Sequence, residues 1–159
     1  MRFFLSIFFL LFYCLEADSQ TISASPGWSF SVPSGTISEA GTDYSISPTS
    51  AANQTLISIA GFSIFESYAV AVHKIDTDWN SALTLQVQRT GTGSTGFFGS
   101  TNGGASYITL TNSPQSFFNG NIGFAVSKNN VPIQYRIQGA SVLLPVKTYT
   151  TTVVYTVSN

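Results

Sequence analysis

Ten residues at the end of the chain constrain its fold more than any other stretch. They read Tyr149-Thr150-Thr151-Thr152-Val153-Val154-Tyr155-Thr156-Val157-Ser158. Nearly all are β-branched or aromatic, the side chains that fit a pleated, half-buried surface. Alternation puts Tyr149, Thr151, Val153, Tyr155 and Val157 on one face, with Thr150, Thr152, Val154, Thr156 and Ser158 on the other. A run of about ten residues is long for a strand. It carries no polar tail, so the end of the chain is expected to be tied into a sheet.

The rest of the chain repeats the period of two. Trp28, Phe30 and Val32 share a face of a short strand that Pro33-Ser34-Gly35 breaks. Thr36 to Ala40 is ambiguous, and Gly41-Thr42-Asp43 turns into Tyr44-Ser45-Ile46. Gln54 to Ala60 and Tyr68 to Ile75 read as strands, and small Ala69 and Ala71 suggest that the second is covered on both sides. Asp76 to Ser81 reads as a polar turn carrying Trp79. Ala82 to Arg89 alternates Leu83, Leu85 and Val87 with Thr84, Gln86 and Gln88, the signature of a sheet with one wet face. Tyr107 to Thr111, Ile122 to Val126 and Val131 to Gln138 are further strands, and Lys128-Asn129-Asn130 reads as a turn between the last two. About nine strand candidates with Gly, Pro and Asn turns, and no helix beyond the first residues, predict an all-β fold. The expected form is a single antiparallel β-sandwich over residues 20–159, immunoglobulin-like in the broad sense.

The first residues are of a different kind. Met1-Arg2 is a positive start, Phe3 to Leu15 is apolar apart from Ser6, and Ala17-Asp18-Ser19 has the small-x-small form of a cleavage site. Residues 1–19 are therefore expected to be a signal peptide, too short to span a bilayer comfortably. Removal would leave Gln20 first and discard Cys14, the chain's one cysteine. The other use of Cys14, as a lipid anchor, requires a small preceding residue, and Tyr13 is bulky. The expected location is secreted or at the cell surface, with no stable transmembrane segment, no disulfide and no thiolate metal site.

Charge excludes one class of partner. After residue 19 the chain holds Lys74, Arg89, Lys128, Arg136 and Lys147 against Glu39, Asp43, Glu66, Asp76 and Asp78. Nothing there forms a basic stripe for phosphates, so no nucleic acid is expected. Low charge with abundant Thr, Ser, Asn and Gly does little to prevent association, so self-association or pairing with another surface protein is expected.

Each catalytic or binding pattern has a plainer competitor. Gly91, Gly93 and Gly96 fit G-x-G-x-x-G after a strand, but no helix follows to supply the amides that bind pyrophosphate. A flexible hairpin loop explains them, with Phe97 and Phe98 as an exposed tip for a partner or a core plug. Asp76, Asp78 and Asn80 have calcium-loop spacing, but Ser81 and Val87 stand where that loop needs glycine and glutamate. His73 is the only histidine and is expected on the face opposite Tyr68, Val70 and Val72. Glu66, beside Phe65 and Tyr68, could have a raised pKa, but nothing brings it the second carboxylate of a glycosidase pair. No catalytic, cofactor or metal residue is assigned, and no enzyme is expected. Trp28, Trp79, Tyr107, Phe117, Phe118 and Tyr149 are expected at strand ends or loops, where rings can stack on sugars.

The closing strands carry a resemblance. Pro132-Ile133-Gln134-Tyr135-Arg136-Ile137, Ser141-Val142-Leu143-Leu144-Pro145 and the threonine-rich Thr148 to Val157 resemble the ends of spore-coat-U-like pilins and WxL-type bacterial surface proteins. The likeness covers roughly the last 30 residues. Val146-Lys147 stands where those families carry a glycine, and the spore-coat-U cysteines and the second WxL tryptophan motif are absent. The resemblance implies an extracytoplasmic immunoglobulin-like sandwich with a surface or fibre role, and it transfers no site residue. The expected function is a non-catalytic, exported structural or adhesive surface protein, such as a pilin-like fibre subunit assembling by β-strand addition. Its assembly strands would carry Trp28, Phe30 and Val32, and Tyr149, Val153, Tyr155 and Val157. The alternative is a secreted carbohydrate-binding module that contacts glycan through Trp79, Phe97 and Phe98.

Overall fold

The structure, a computed structural model, describes residues 19–32, 45–94 and 96–159. The expected export signal, apart from Ser19, lies outside the described residues, as do Thr36 to Ala40 and the turn at Gly41-Thr42-Asp43.

Among the described residues eleven strands run in chain order: β1 Thr21–Ser25, β2 Ser45–Ile46, β3 Thr55–Ala60, β4 Ser67–Asp78, β5 Thr84–Arg89, β6 Ser100–Gly103, β7 Ile108–Thr109, β8 Gln115–Asn121, β9 Ser127–Gln138, β10 Ala140–Ser141 and β11 Thr150–Ser158. Every pairing is antiparallel. One sheet has the order β1-β3-β9-β5-β7, a second β11-β4-β8-β6, and β10 pairs with β2 alone. Among the described residues there is no helix, and so none long and apolar enough to cross a membrane.

The two large sheets face each other across one core. Ile57 and Ile59 of β3, Leu85 and Val87 of β5, and Val131, Ile133 and Tyr135 of β9 meet Tyr68, Val70 and Val72 of β4 and Phe117 and Phe118 of β8. All are buried, and each such side chain contributes roughly 1.5–3 kcal/mol by leaving water. The fold is thus an all-β antiparallel sandwich, and alternation set its inward rows on β3, β4, β5 and β9.

Two β-bulges account for the main departures from the sequence reading. Along β8 the pairing passes from Val70↔Phe118 to Ala71↔Ser116, which leaves Phe117 as the extra residue. The bulge lets consecutive phenylalanines both enter the core. Phe117 and Phe118 are therefore not at a loop offering rings to a ligand. Along β9 the pairing passes from Ile57↔Val131 to Ile59↔Lys128, so that Asn129 and Asn130 together oppose Ser58. Asn130 takes φ 56 there, and its N–H donates to Ser58 Oγ at 3.1 Å. The expected turn at Lys128-Asn129-Asn130 is this bulge inside one long strand. It also shifts the alternation, so Lys128 points inward and is 1 % exposed.

Two expected strands are not strands. Trp28 to Val32 is irregular, and the strand on that flank is β1, which Pro26 and Gly27 end. Ile122 to Val126 is a loop, and β8 stops at Asn121.

Candidate functional site

The two stretches proposed for assembly lie on one flank of the sandwich. β1 is the edge of one sheet and β11 the edge of the other. They lie side by side with no ladder between them. The opening between them is a cleft of about 320 Å³, walled by Pro26, Trp28, Thr55, Tyr135, Val153 and Tyr155.

Its inner wall is aromatic. The Trp28 ring stacks on Tyr135, with centroids 6.2 Å apart and planes 10° from parallel. Tyr135 and Tyr155 share a hydroxyl–hydroxyl hydrogen bond of 2.9 Å, joining β9 of one sheet to β11 of the other. Tyr155 also lies 6.2 Å from the core ring of Phe117. Burial pushes the phenol of Tyr155 far above its usual range, with the Tyr135 phenol adding to the rise. Burial likewise raises Tyr135. Both hydroxyls stay neutral at any physiological pH and act only as hydrogen-bonding groups. Thr55 Oγ1 donates to Pro26 O at 2.6 Å and Gln54 Nε2 to Gly27 O at 2.8 Å, holding the irregular segment against β3.

The other candidates for this flank divide by exposure. Val153 and Val157 pack against the core beside Tyr155. Phe30 and Val32 are exposed, with the Phe30 ring 6.5 Å from Trp28. Tyr149 stands one residue before β11; its hydroxyl donates to Pro145 O at 2.8 Å, and Lys147 Nζ lies 5.2 Å from its ring centre. Tyr135 and Thr55 completed the site without being singled out. Alternation puts Thr55 on the face of Ile57 and Ile59, and Tyr135 on that of Val131 and Ile133, but only the cross-sheet pairing shows what they meet.

β11 itself is an open edge. Among the described residues β4 is its only ladder partner, from Thr150↔Asp78 to Ser158↔Ala69. Its nine residues include no charge and no proline. Of the charges nearby, Lys147 lies before its start and pairs with Asp78, and the paired Lys74 and Asp76 of β4 stand opposite Val153 and Thr151.

The proposed ligand aromatics separate. The Trp79 indole N–H donates to Leu83 O at 2.9 Å, its ring takes Lys74 Nζ at 5.6 Å, and it packs on the core. Phe97 and Phe98 are 83 % and 82 % exposed at the tip of the β5–β6 connection. That connection is not a free loop. Ser94 and Asn129 exchange backbone hydrogen bonds of 2.8 and 2.9 Å, which pin it to the β9 bulge.

The remaining patterns are occupied by structural bonds. Asp76 accepts from Lys74 and from Thr151 Oγ1, Asp78 from Lys147, and Asn80 Oδ1 from the Ala82 N–H. Asp76 and Asp78 belong to β4 rather than to a turn, because β11 extends the sheet beside them. His73 lies on the outer face of β4 opposite Val154, and its Nδ1 is buried without a partner among the described residues. Glu66 is the reverse of a raised carboxyl. The Ser63 backbone N–H, followed by the Asn159 amide, holds its pKa below the usual value. On the outer face of the β4–β8–β6 sheet, Ser67, Asn102, Asn119, Asn121 and Asn159 line a shallow hollow of about 430 Å³.

No family model matches this chain, and neither a curated protein nor a solved structure shows significant similarity to it.

Proposed function

We propose that this chain acts without catalysis, as an exported structural or adhesive surface subunit that joins its neighbours by β-strand addition along β11. The observation that carries the reading is the edge itself. A nine-residue strand with no proline and no charged side chain has one hydrogen-bonding side on β4 and the other unpaired among the described residues. Edge strands are usually guarded by short length, charge, proline or a covering element, and β11 itself carries neither charge nor proline; the nearby charges are Lys147 before it and the Lys74–Asp76 pair on β4 beside it. An incoming strand gains main-chain hydrogen bonds, and inward side chains set its register.

The donor in this reading is the segment from Gln20 to Val32. β1 is peripheral, with only Ile22 half-buried and, among the described residues, only β3 as a ladder partner. It lies next to β11, so a strand from a second copy needs little rearrangement to cross the flank. Phe30 and Val32 are exposed in the single chain, and they are the apolar residues such a donor offers.

The test is light scattering after size exclusion, with negative-stain microscopy of the same fractions. Ordered oligomers or fibres that disappear on deletion of Gln20 to Val32 are the expected result. A monodisperse monomer over a wide concentration range that also fails to capture a synthetic peptide of residues 20–32 overturns the reading.

A second reading, glycan binding, draws support from the hollow of asparagine side chains on the outer sheet face, whose amides supply both donors and acceptors. Trp79, tied to Leu83 and the core, offers it little stacking surface. Retention on a glycan array that is lost on Asn119→Leu favours this reading over assembly.

A further inference from the structure

One end of the sandwich gathers exposed apolar side chains from separate loops. Three loops meet there: residues 61–66 between β3 and β4, 96–99 between β5 and β6, and 122–126 between β8 and β9. They expose Ile64, Phe65, Phe97, Phe98, Phe124 and Val126. Six large apolar side chains exposed together form a patch that needs an explanation, because single exposed hydrophobics are ordinary and clusters are not.

The cluster is built rather than loose. Phe65 N–H donates to Gly123 O at 2.8 Å, Phe124 N–H to Phe97 O at 2.9 Å, and Phe62 N–H to Val126 O at 3.3 Å. Each loop is thus bonded to another. The rings of Phe65 and Phe124 meet edge to face at 4.8 Å. Phe65 and Phe98 hold φ of 60 and 63, the left-handed region that bulky side chains avoid. Such backbone persists only where surrounding structure enforces it. Gly96 permits the contact, since a Cβ there would stand 2.2 Å from Phe124 O. The loops hold the rings outward on a backbone conformation that bulky residues adopt only at a cost.

We infer that this apolar end docks into the interface of an electrically neutral lipid bilayer. Three features select that occupant. The side chains are Phe, Ile and Val with no polar handle, whereas protein interfaces favour Tyr, Trp and Arg and carry regular hydrogen bonds. Several backbone N–H groups of the tips are already spent within the cluster, among them those of Phe62, Phe65, Glu66, Gly99, Ile122 and Phe124. Inserting them strands fewer donors in an apolar phase. Charge is also segregated. The one charged side chain in these loops, Glu66, is bonded to Ser63 and Asn159. The pairs Lys74–Asp76 and Lys147–Asp78 sit in the far half of β4, roughly 23 to 36 Å along the strand from Ser67. Among the described residues no exposed cationic side chain stands in these loops to select anionic lipid, and Lys128, two residues past Val126, is buried.

The experiment is co-sedimentation of protein recovered from a secreting host, its N-terminus determined, with phosphatidylcholine vesicles. It is run on the parent and on F97S/F98S, whose changed side chains touch solvent and leave the core intact. The parent is expected to bind with little dependence on salt. The double variant, with unchanged circular dichroism, is expected to need about tenfold or more lipid for half binding. In parallel, Phe97→Trp emission is expected to shift to the blue on vesicles and to be quenched by brominated acyl chains. Failure of the parent to bind, equal binding by the double variant, or binding that requires anionic lipid overturns the inference. So does a parent that ignores vesicles but self-associates through the same phenylalanines, which would make the patch a protein interface.

Discussion

Tyr135 and Tyr155 bridge the two sheets through their hydroxyl groups, 2.9 Å apart, with Trp28 stacked on the outer face of the pair's first ring. The bridge fixes the spacing of the flank where the edge strands β1 and β11 lie open. Tyr155→Phe removes it and leaves the Tyr135 hydroxyl without that partner. The expected loss is about 1 kcal/mol, read as a fall in Tm of roughly 2–4 °C for a chain of this size.

The same pair predicts an alkaline limit. Burial raises the phenol pKa of Tyr68, Tyr135 and Tyr155 above the ordinary value of 10.0. A raised acid favours the folded state while it is neutral. The contribution is therefore whole below pH 10 and is lost as the pH climbs from there toward the folded values. Tyrosinate absorbance of the native protein should show Tyr68, Tyr135 and Tyr155 silent until the fold opens.

Lys128 acts in the opposite sense. It is buried beside Arg89, and burial, then the Arg89 charge, lowers its pKa from 10.5. The unfolded chain holds that proton more tightly, so the folded state is penalised at neutral pH and relieved as the pH rises through the lowered value. Lys128→Met is expected to raise stability at pH 7 by about 1 kcal/mol. The gain should shrink toward pH 10 in denaturant titrations at a series of pH values.

Trp28→Ala takes a half-buried ring from Tyr135 and opens the cleft. A cost of ~2 kcal/mol is expected, below the range for a fully buried tryptophan. Limited proteolysis should then cut between Pro26 and Val32 faster than in the parent, because the ring contact helps hold that segment to β9.

Charge on the open edge tests assembly without touching the core. Thr152 and Thr156 are exposed on β11. T152K/T156K should leave Tm within ~1 °C, since exposed substitutions rarely exceed about 0.5 kcal/mol. The same variant should abolish any ordered oligomer seen by light scattering.

The fold was legible wherever side chains alternate. Ile57 with Ile59, Leu85 with Val87, Ile133 with Tyr135 and Val153 with Tyr155 each announced their face. β1 was not legible, because Thr21–Ser25 has a single half-buried position and is held by backbone pairing to β3 rather than by a pattern. Both bulges were missed for a related reason. Two phenylalanines in a row or a Lys-Asn-Asn run breaks alternation, and nothing local says whether the break is a turn or an extra residue. Trp28 and Tyr155 were both chosen as site residues, yet their common cleft depends on which strands end each sheet. The apolar end was visible only as Phe97 and Phe98. Its other members come from loops over 25 residues away, brought in by hydrogen bonds such as Phe124 N–H to Phe97 O and Phe65 N–H to Gly123 O.

The β9 bulge has a consequence for how this sequence can change length. On either side of Asn129 and Asn130 the ladder with β3 is in step, with Val131 opposite Ile57 and Lys128 opposite Ile59. Loss of Asn130 would close the strand into a regular ladder and keep each of those inward side chains opposite its present neighbour. A single-residue gap in the middle of β5, which has no such slack against β9, would turn one half of its core row out into water. Natural variants that differ in length within the sheets are therefore expected to gather at the bulges.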